Sequence, residues 1–232
     1  MEETLENKTP HLDVTMAWEK ATLLKKDLEE GKGWTQRYHV PNKFNSWSKT
    51  FPSEDVPVKT VYCFKNMPMS AETFIEMMSP KNLELRSKWD TTTALELLER
   101  LPNGGCILRS VIPLSFPLSS RDYILYCSPP YENNDWFGKK AFGIFFLDST
   151  YPSRPAGADG IVRATNGGNF YVAVQDEEKP EHECETFMLT TNNYNGWIPD
   201  KNEWMVARKA PRVFSQIRQC VVEGYNQYFK GV

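Results

Sequence analysis

Residues 211–229 most constrain the fold of this chain, because they predict a long amphipathic helix close to its C-terminus. Apolar side chains recur there at steps of three and four residues, and polar side chains keep the same rhythm on the opposite face. The apolar face consists of Val213, Phe214, Ile217, Cys220, Val221, Val222, Gly224, Tyr225, Tyr228 and Phe229. A helix of this kind must cover an apolar surface, and the chain before it is predicted to consist mostly of strands.

A second long helix is predicted over residues 14–30, where Gly31 and Gly33 would end it. Two short helices are predicted further along the chain, with Ser70 and Ser79 as their N-caps. Alternation of apolar and polar residues predicts the strands. These strands are residues 34–40, 44–49, 58–64, 94–101, 106–112, 121–127, 141–147, 161–165, 169–174 and 184–191.

Asparagine–glycine pairs predict two of the turns between strands. Residues 94–101 also have leucines at helical spacing, but the following Asn103-Gly104 favours a strand that enters a tight hairpin. Asn166-Gly167 likewise predicts a hairpin between residues 161–165 and 169–174. The proline-rich residues 113–120, 128–134 and 151–159 are predicted to be loops.

Together these elements favour one α+β domain over residues 1–232, with residues 1–13 as a flexible tail. The strands follow one another in hairpin order, which is typical of an antiparallel sheet. If that sheet is curved, its concave face must be filled, and the C-terminal helix is the natural element to fill it. A sheet wrapped around one helix often leaves a cavity between the two.

Composition and charge exclude several classes of function. The 232 residues are 40% hydrophobic and 13% aromatic, which is enough for a core, and the net charge is −3. Nucleic acid is therefore not expected as a partner, because binding it needs concentrated positive charge. Five cysteines without close pairs indicate a reducing compartment. The polar N-terminus predicts no signal peptide, and the apolar run 141–147 is too short to span a bilayer. We expect a cytoplasmic protein.

The sequence offers little that indicates catalysis. None of the three histidines, His11, His39 and His182, has a serine, cysteine or acid at the spacing of an activated nucleophile. The segment Glu181-His182-Glu183-Cys184 carries metal-capable atoms, but its spacing differs from that of known metal sites. We therefore expect no catalytic residue, no metal and no cofactor.

Charged residues among apolar neighbours are more informative, because a buried charge requires a partner. They are Arg86, Asp90, Arg121, Asp122 and Arg163. Either all five form structural ion pairs, or one arginine meets an anionic or hydroxyl group of a ligand. The residue pattern favours the first alternative and leaves the second open.

At these residues the chain resembles the START family, the steroidogenic-acute-regulatory-related lipid transfer domains. The motifs that carry the resemblance are Arg-Ser-Lys-Trp-Asp at 86–90, Phe-Pro-Leu-Ser-Ser-Arg-Asp-Tyr at 116–123, Gly-Ile-Val-Arg at 160–163 and Gly-Trp-Ile-Pro at 196–199. Each motif alone is weak, but all four occur in order over residues 34–229. The segment 199–211, with Trp204, looks closer to the phosphatidylcholine-transfer branch than to the sterol branch.

The resemblance implies a helix-grip fold, in which a curved antiparallel sheet surrounds the C-terminal helix and an internal lipid cavity. It also implies that the loop at 151–160 and this helix act as a gate. The small residues Gly224 and Cys220 would then leave room for acyl chains. The family binds one lipid, commonly a phospholipid, a sterol or ceramide, and often moves it between membranes.

The resemblance also implies particular contacts with the ligand. Arg86 and Asp90 are expected at the lipid phosphate, since a guanidinium offers paired donors to phosphate oxygens. Trp89, which belongs to the same motif, is also expected to contact the lipid. Tyr123 occupies the place of one aromatic residue of a choline cage. The other cage positions fall at Ser110 and near Gly167, which contribute no ring, so choline is not specifically implied. Asn169 is expected to make a polar contact.

Arg121 has two alternatives: a polar contact to a smaller ligand such as a sterol, or a structural pair with Asp90 or Asp122. For the whole chain we expect a monomeric, non-enzymatic lipid-transfer protein that contacts membranes transiently and favours a phospholipid. The alternatives are a sterol or ceramide carrier and a lipid-regulated sensor or adaptor. An enzyme on the helix-grip fold ranks below them.

Overall fold

The computed structural model describes residues 10–114, 118–196 and 210–231, so the motif residues 116, 117 and 197–199 and Trp204 lie outside the described residues. Its α-helices are α1 (Val14–Glu30), α2 (Ala71–Met78), α3 (Leu83–Trp89) and α4 (Ala210–Tyr228). Its strands are β1 (Thr35–Val40), β2 (Phe44–Thr50), β3 (Val58–Phe64), β4 (Ala94–Arg100), β5 (Cys106–Ile112), β6 (Arg121–Cys127), β7 (Tyr131–Trp136), β8 (Lys139–Asp148), β9 (Val162–Arg163), β10 (Thr165–Asn166), β11 (Asn169–Gln175) and β12 (Cys184–Asn193).

These strands form one large sheet. Its main order is β1-β2-β3-β12-β11-β8-β6-β5-β4, with β7 on β8, β9 on β6 and β10 on β12. Every described pairing is antiparallel except that of β9 with β6. The predicted α+β fold, a curved antiparallel sheet with a C-terminal helix, is confirmed. None of the helices within the described residues is long and apolar enough to cross a membrane.

The two faces of the sheet carry different helices. We call the face that packs against α2, α3 and α4 the inner face, and the face that packs against α1 the outer face. Along β6 the side chains alternate between them: Tyr123, Leu125 and Cys127 belong to the inner core, while Ile124 and Tyr126 form an outer cluster. Because both faces are covered, every residue of β6 is buried.

Helix α1 shows how local signals and packing act together. The Asp13 carboxylate accepts a hydrogen bond from the Met16 N–H at 3.1 Å, and Gly31 ends the helix with a φ of 72°. Its buried Trp18 contacts the edge of Phe145, with 5.5 Å between the ring centroids. A Cβ atom at Gly143 would lie 3.1 Å from the Trp18 ring, so this glycine lets the helix approach the sheet.

The predicted loop at 128–134 is wrong in its second half, where the chain forms β7 and pairs with β8. Two features concealed this strand. Its residues are mostly polar because they lie at an edge of the sheet, and the turn to β8 uses Phe137 and Gly138, both at positive φ. A phenylalanine at positive φ is uncommon and gives no turn signal in a sequence.

The hairpin predicted at Asn166-Gly167 is also wrong. Residues 162–163 pair with β6 in parallel, and Thr165 and Asn166 pair with β12 at Asn193 and Asn192, so neither segment pairs with β11. The chain does turn at Asn166-Gly167, but this turn connects β10 to β11, and both of these strands pair with β12. Its geometry depends on distant groups, because the Gly167 N–H donates to the Thr191 carbonyl.

The two predicted helix caps have different outcomes. The Ser70 hydroxyl accepts a hydrogen bond from the Thr73 N–H at 3.1 Å, so this cap is confirmed. The Ser79 hydroxyl instead donates to the Glu76 carbonyl at 2.8 Å and caps nothing ahead of it. The chain makes a 3₁₀ turn at Pro80–Asn82 and then enters α3, which carries the first motif.

Candidate functional site

A cavity of about 290 Å³ lies between the inner face of the sheet and the helices α3 and α4. Its apolar wall includes Leu108, Leu125 and Phe146 from the sheet and Phe214 and Ile217 from α4. These residues point inward because they alternate along their strands or recur at helical spacing. The first half of α4 therefore forms the cover of the cavity.

The second half of α4 packs against protein. A Cβ atom at Gly224 would lie 2.7 Å from the Trp89 ring, so the expectation that Gly224 leaves room for acyl chains is wrong. At the middle of the helix, Arg218 donates hydrogen bonds to the carbonyls of Lys65 and Asn66 at 3.0 and 3.2 Å. The helix is thus fastened from Arg218 onwards.

Arg86 and Asp90 form a buried ion pair beside the cavity. Their side chains are four residues apart, at the end of α3, and lie on one face of it. The Arg86 Nε and Nη2 atoms lie 2.9 and 2.8 Å from Asp90 Oδ2, and Arg86 also lines the cavity. Asp90 Oδ1 accepts a hydrogen bond from the Thr92 N–H at 3.1 Å, which fixes the carboxylate that orients Arg86.

The electrostatics of this pair keep the arginine charged. Burial lowers the pKa of Arg86, but the negative charge of Asp90 more than offsets it, and the pKa is raised overall. Tyr171, which lines the cavity next to Arg86, has its pKa raised by burial and is a neutral hydroxyl. A guanidinium carries five N–H donors, so pairing with Asp90 leaves donors for a phosphate.

Tyr123 and Asn169 also line the cavity. Tyr123 on β6 lies opposite Ser110 on β5. Burial raises the pKa of Tyr123 well above its ordinary value, and its hydroxyl has no hydrogen-bond partner among the described residues. The Asn169 side-chain oxygen accepts hydrogen bonds from the N–H and hydroxyl of Thr191, at 2.6 and 3.0 Å.

Two further predicted site residues lie elsewhere. Trp89 is buried between α3 and α4 and is not part of the cavity wall. Arg121 is also absent from the wall, and its guanidinium donates to the backbone carbonyls of Tyr194 at 2.6 Å, of Asn195 at 3.1 Å and of Ser119. In place of the alternative pair with Asp90 or Asp122, these hydrogen bonds join Arg121 to carbonyls, two of which lie just after β12.

Asp122 belongs to an ion cluster on the outer face. Its carboxylate accepts hydrogen bonds from Arg109 Nε and Arg163 Nε, each at 2.8 Å. Asp122 and Arg163 therefore form a structural ion pair, which is the first of the two alternatives given for the buried charges. Burial raises the pKa of Asp122, but hydrogen bonds from both arginines more than offset this, and the pKa is lowered overall.

This cluster fixes the loop at 151–160. Arg163 donates to the Arg154 carbonyl at 3.0 Å, Arg154 bonds to Glu96 at 2.5 Å, and the Tyr151 hydroxyl donates to the Leu98 carbonyl at 3.2 Å. The loop therefore lies over the outer side of the sheet, and none of its residues lines the cavity. The role of this loop as a gate stays a prediction.

Sequence reasoning missed part of the polar wall: Asn166, Asn192 and Tyr194. One signal was available for two of them, since Thr190, Asn192 and Tyr194 alternate at the end of the last strand. No such signal marked Asn166, because it enters the wall only through the pairing of β10 with β12. The described residues contain no cluster of three or more His, Cys, Asp or Glu side chains that could hold a metal ion.

The chain matches the model of the START domain over residues 16–224. No curated protein sequence matches it. Human STARD10 superposes with a TM-score of 0.71 at 18% identity, covering 97% of this chain and 83% of that one. Human StAR-related lipid transfer protein 5 superposes with a TM-score of 0.67 at 15% identity, covering 92% and 98%. These identities show a shared fold alone, but the family model spans most of the sequence. This chain belongs to the START domain family.

Proposed function

We propose that this protein binds one lipid in the cavity, with a phospholipid as its cargo, and transfers it between membranes as a cytoplasmic monomer. The observation that carries the proposal is the buried Arg86–Asp90 pair in the wall of a largely apolar cavity beneath α4. An apolar chamber with one fixed cation suits a molecule that has acyl chains and an anionic head group. Membership of the START domain family supports the same conclusion.

The composition of the wall favours binding over catalysis. General acid–base chemistry needs a titratable group that is poised near the operating pH. Among the described residues that line the cavity there is no His, Cys, Asp or Glu. The tyrosines there have their pKa values raised by burial, to about 12 for Tyr194, which keeps their hydroxyls neutral.

The size of the cavity implies that its walls move when lipid enters. Its volume of about 290 Å³ is at the low end for ligand sites and is smaller than a phospholipid with two chains. The cavity-lining residues of α4 end at Ile217, whereas Arg218 and the close approach of Gly224 to Trp89 hold the helix from its middle onwards. We therefore assign the opening movement to the turns of α4 that precede Arg218. Burial of the acyl chains, at roughly 25 cal/mol per Å² of apolar surface, drives lipid binding. The membrane opposes it, because the same chains are also removed from water in the bilayer.

Lipid analysis tests the proposal directly. The protein is incubated with vesicles of phospholipid and cholesterol, separated from them, and its bound lipid is identified by mass spectrometry. We expect one phospholipid per protein and its delivery to acceptor vesicles. Uptake of no lipid would refute the proposal, whereas uptake without delivery would refute transfer and leave binding in place.

Substitution of Arg86 tests the site. Arg86→Ala removes charge-assisted hydrogen bonds to phosphate, so phospholipid uptake is expected to fall roughly 10- to 100-fold, and sterol uptake much less. Arg109→Ala is the matched control, because Arg109 also pairs with a buried carboxylate but lies on the outer face. Circular dichroism checks that both variants fold. Equal loss of both lipids in Arg86→Ala alone would assign Arg86 a structural role.

A further inference from the structure

One end of the cavity is unusually rich in side-chain amides. Asn166, Asn169 and Asn192 all line it, and we call these three residues the amide cluster. Tyr123 and Tyr194 line the same cavity, and Arg121, two residues before Tyr123 on β6, bonds to the Tyr194 carbonyl. Burial, and next the neighbouring Tyr194, raise the pKa of Tyr123. This end has a different chemistry from the apolar wall and from Arg86.

Two donors at this end are buried without acceptors. The Asn166 side-chain oxygen accepts a hydrogen bond from the Gly168 N–H at 2.8 Å, which fixes the orientation of the amide. Its Nδ2 group therefore points elsewhere, and it has no partner among the described residues. The Tyr123 hydroxyl is in the same situation, and each of the two residues is only 4% exposed.

The remaining groups hold one another in place. Thr191 fixes the Asn169 oxygen, so Asn169 Nδ2 faces the Asn192 oxygen at 3.4 Å. Asn192 Nδ2 in turn donates to the Tyr194 hydroxyl oxygen at 3.3 Å. Since that oxygen is the acceptor, the Tyr194 proton is directed to another group. The cluster thus presents several oriented donors.

Oriented donors select a ligand with acceptors. A buried donor that lacks an acceptor costs free energy, which a ligand oxygen recovers. A quaternary ammonium has no acceptor and would leave both donors unpaired. The charges nearest this end oppose each other, since Asp148 accepts the backbone N–H of Asn166 at 2.8 Å and Lys20 donates to the carbonyls of Gly167 and Gly168, so they select neither an anion nor a cation. Uncharged hydroxyl oxygens fit best.

The amide cluster lies within reach of the phosphate site. Asn169 and Tyr171 both face the cavity and are two residues apart on β11, which corresponds to about 6.6 Å along a strand. The guanidinium of Arg86 lies next to Tyr171. A head group whose phosphate contacts Arg86 would therefore place its outer atoms at the amide cluster.

We propose that the amide cluster and Tyr123 bind the hydroxyl groups of a polyhydroxy head group, such as glycerol or inositol, on a phospholipid cargo. The inference rests on the proposed function, since it assumes that a phospholipid occupies the cavity. It names the class of head group: uncharged and hydroxyl-bearing beyond the phosphate, and not ending in a quaternary ammonium.

A competition experiment tests this selectivity. The full chain is incubated with vesicles that contain equal amounts of dioleoyl phosphatidylcholine, phosphatidylglycerol and phosphatidylinositol, and its bound lipids are quantified by mass spectrometry. We expect the two hydroxyl-bearing lipids to exceed phosphatidylcholine by about tenfold, the effect of one additional satisfied buried hydrogen bond. The ratio of glycerol to inositol lipid then distinguishes the two head groups. Equal uptake or an excess of phosphatidylcholine would overturn the inference and leave the proposed function intact.

Two variants localise the effect. Tyr123→Phe removes one unpaired hydroxyl, and Asn166→Asp replaces the free donor by an acceptor while keeping the oxygen that Gly168 requires. Both are expected to lower the preference several-fold. Tyr126→Phe is the matched control, because Tyr126 lies on the same strand but faces outward and bonds to Asn103. An unchanged preference in both cavity variants would contradict the inference. Uptake of no lipid at all would overturn the proposed function together with it.

Discussion

At the scale of single residues, Gly224 determines where α4 meets protein and where it meets the cavity. The Trp89 ring occupies the space that a side chain at this position would take, at 2.7 Å from a Cβ atom. Three helical turns earlier, Phe214 instead lies flat on Tyr62, with 3.7 Å between the ring centroids, and lines the cavity. One helix therefore has a tightly packed half and a covering half.

Substitution of this glycine is expected to reverse the usual effect of alanine in a helix. Gly→Ala in a helix interior normally stabilises by roughly 1 kcal/mol. Here the added methyl group collides with the Trp89 ring, so Gly224→Ala is expected to destabilise by about 1–3 kcal/mol in urea unfolding. The same change in a Trp89→Leu background should cost less. A stabilised Gly224→Ala variant would show that the contact is loose.

At the scale of elements, α1 covers the outer face through a few residues on one side. Trp18, Ala21 and Leu24 are buried, whereas Met16 and Leu23 on its other side are 65% and 68% exposed. The loop at 151–160 covers the neighbouring part of that face, near β4 to β6. Both elements stabilise the sheet from outside and leave the inner face to the cavity.

Trp18 is therefore expected to contribute strongly to stability without affecting the ligand. Trp18→Ala leaves a void against Phe145 and Gly143 and should lower the free energy of unfolding by about 3–5 kcal/mol. Leu23→Ala removes an exposed side chain from the same helix and should change it by less than about 0.5 kcal/mol. Head-group selectivity should be the same in both variants. Similar small effects would mean that α1 packs only weakly.

Elements that carry their own signal could be predicted from the sequence. Periodicity and local caps located α1 and α4, and Asn103-Gly104 located the hairpin of β4 and β5. The short strands β9 and β10 could not be found in this way, because their partners β6 and β12 are distant in the sequence.

The candidate site also combines residues that a local sequence signal identifies with residues that only distant contacts bring into place. Arg86, Asp90 and Tyr123 were named from motifs, and Asn169 from its position in the family resemblance. The structure joins the first two in an ion pair and places Arg86, Tyr123 and Asn169 in the cavity wall. Arg121 could not be distinguished from Arg86 by its neighbours, since its partners are carbonyls at 194 and 195 that only folding brings near. Asn166 depended on strand register for the same reason.

At the scale of the whole molecule, α1 also connects to the turn that positions Asn166. Lys20 donates hydrogen bonds to the carbonyls of Gly167 and Gly168, at 2.6 and 2.8 Å. Burial, followed by repulsion from Lys59, lowers the pKa of Lys20 to about 8. A helix on the outer face thus places a cation next to the amide cluster.

This cation is expected to make stability depend on pH. The folded pKa of about 8 lies below the unfolded value of 10.5, so the unfolded chain binds more protons between these values. The free energy of unfolding should therefore gain a positive slope between pH 8 and 10.5 from this residue, with the cost of burying the charge fully present below pH 8. Lys20→Met should remove that contribution in urea unfolding, whereas Lys26→Met, exposed on the same helix, should retain it. An identical slope in Lys20→Met would contradict the assignment.

The position of β12 has a consequence for synthesis. This strand lies between β3 and β11, so β1 to β3 join the rest of the main sheet only through a strand made near the end of the chain. At ribosomal rates of 5–20 residues per second, β3 waits on the order of 10 s for that partner. During this time the backbone groups of β3 that pair with residues 188–191 have no partner. The N-terminal strands of the nascent chain therefore keep an open sheet edge until residues 184–193 are made.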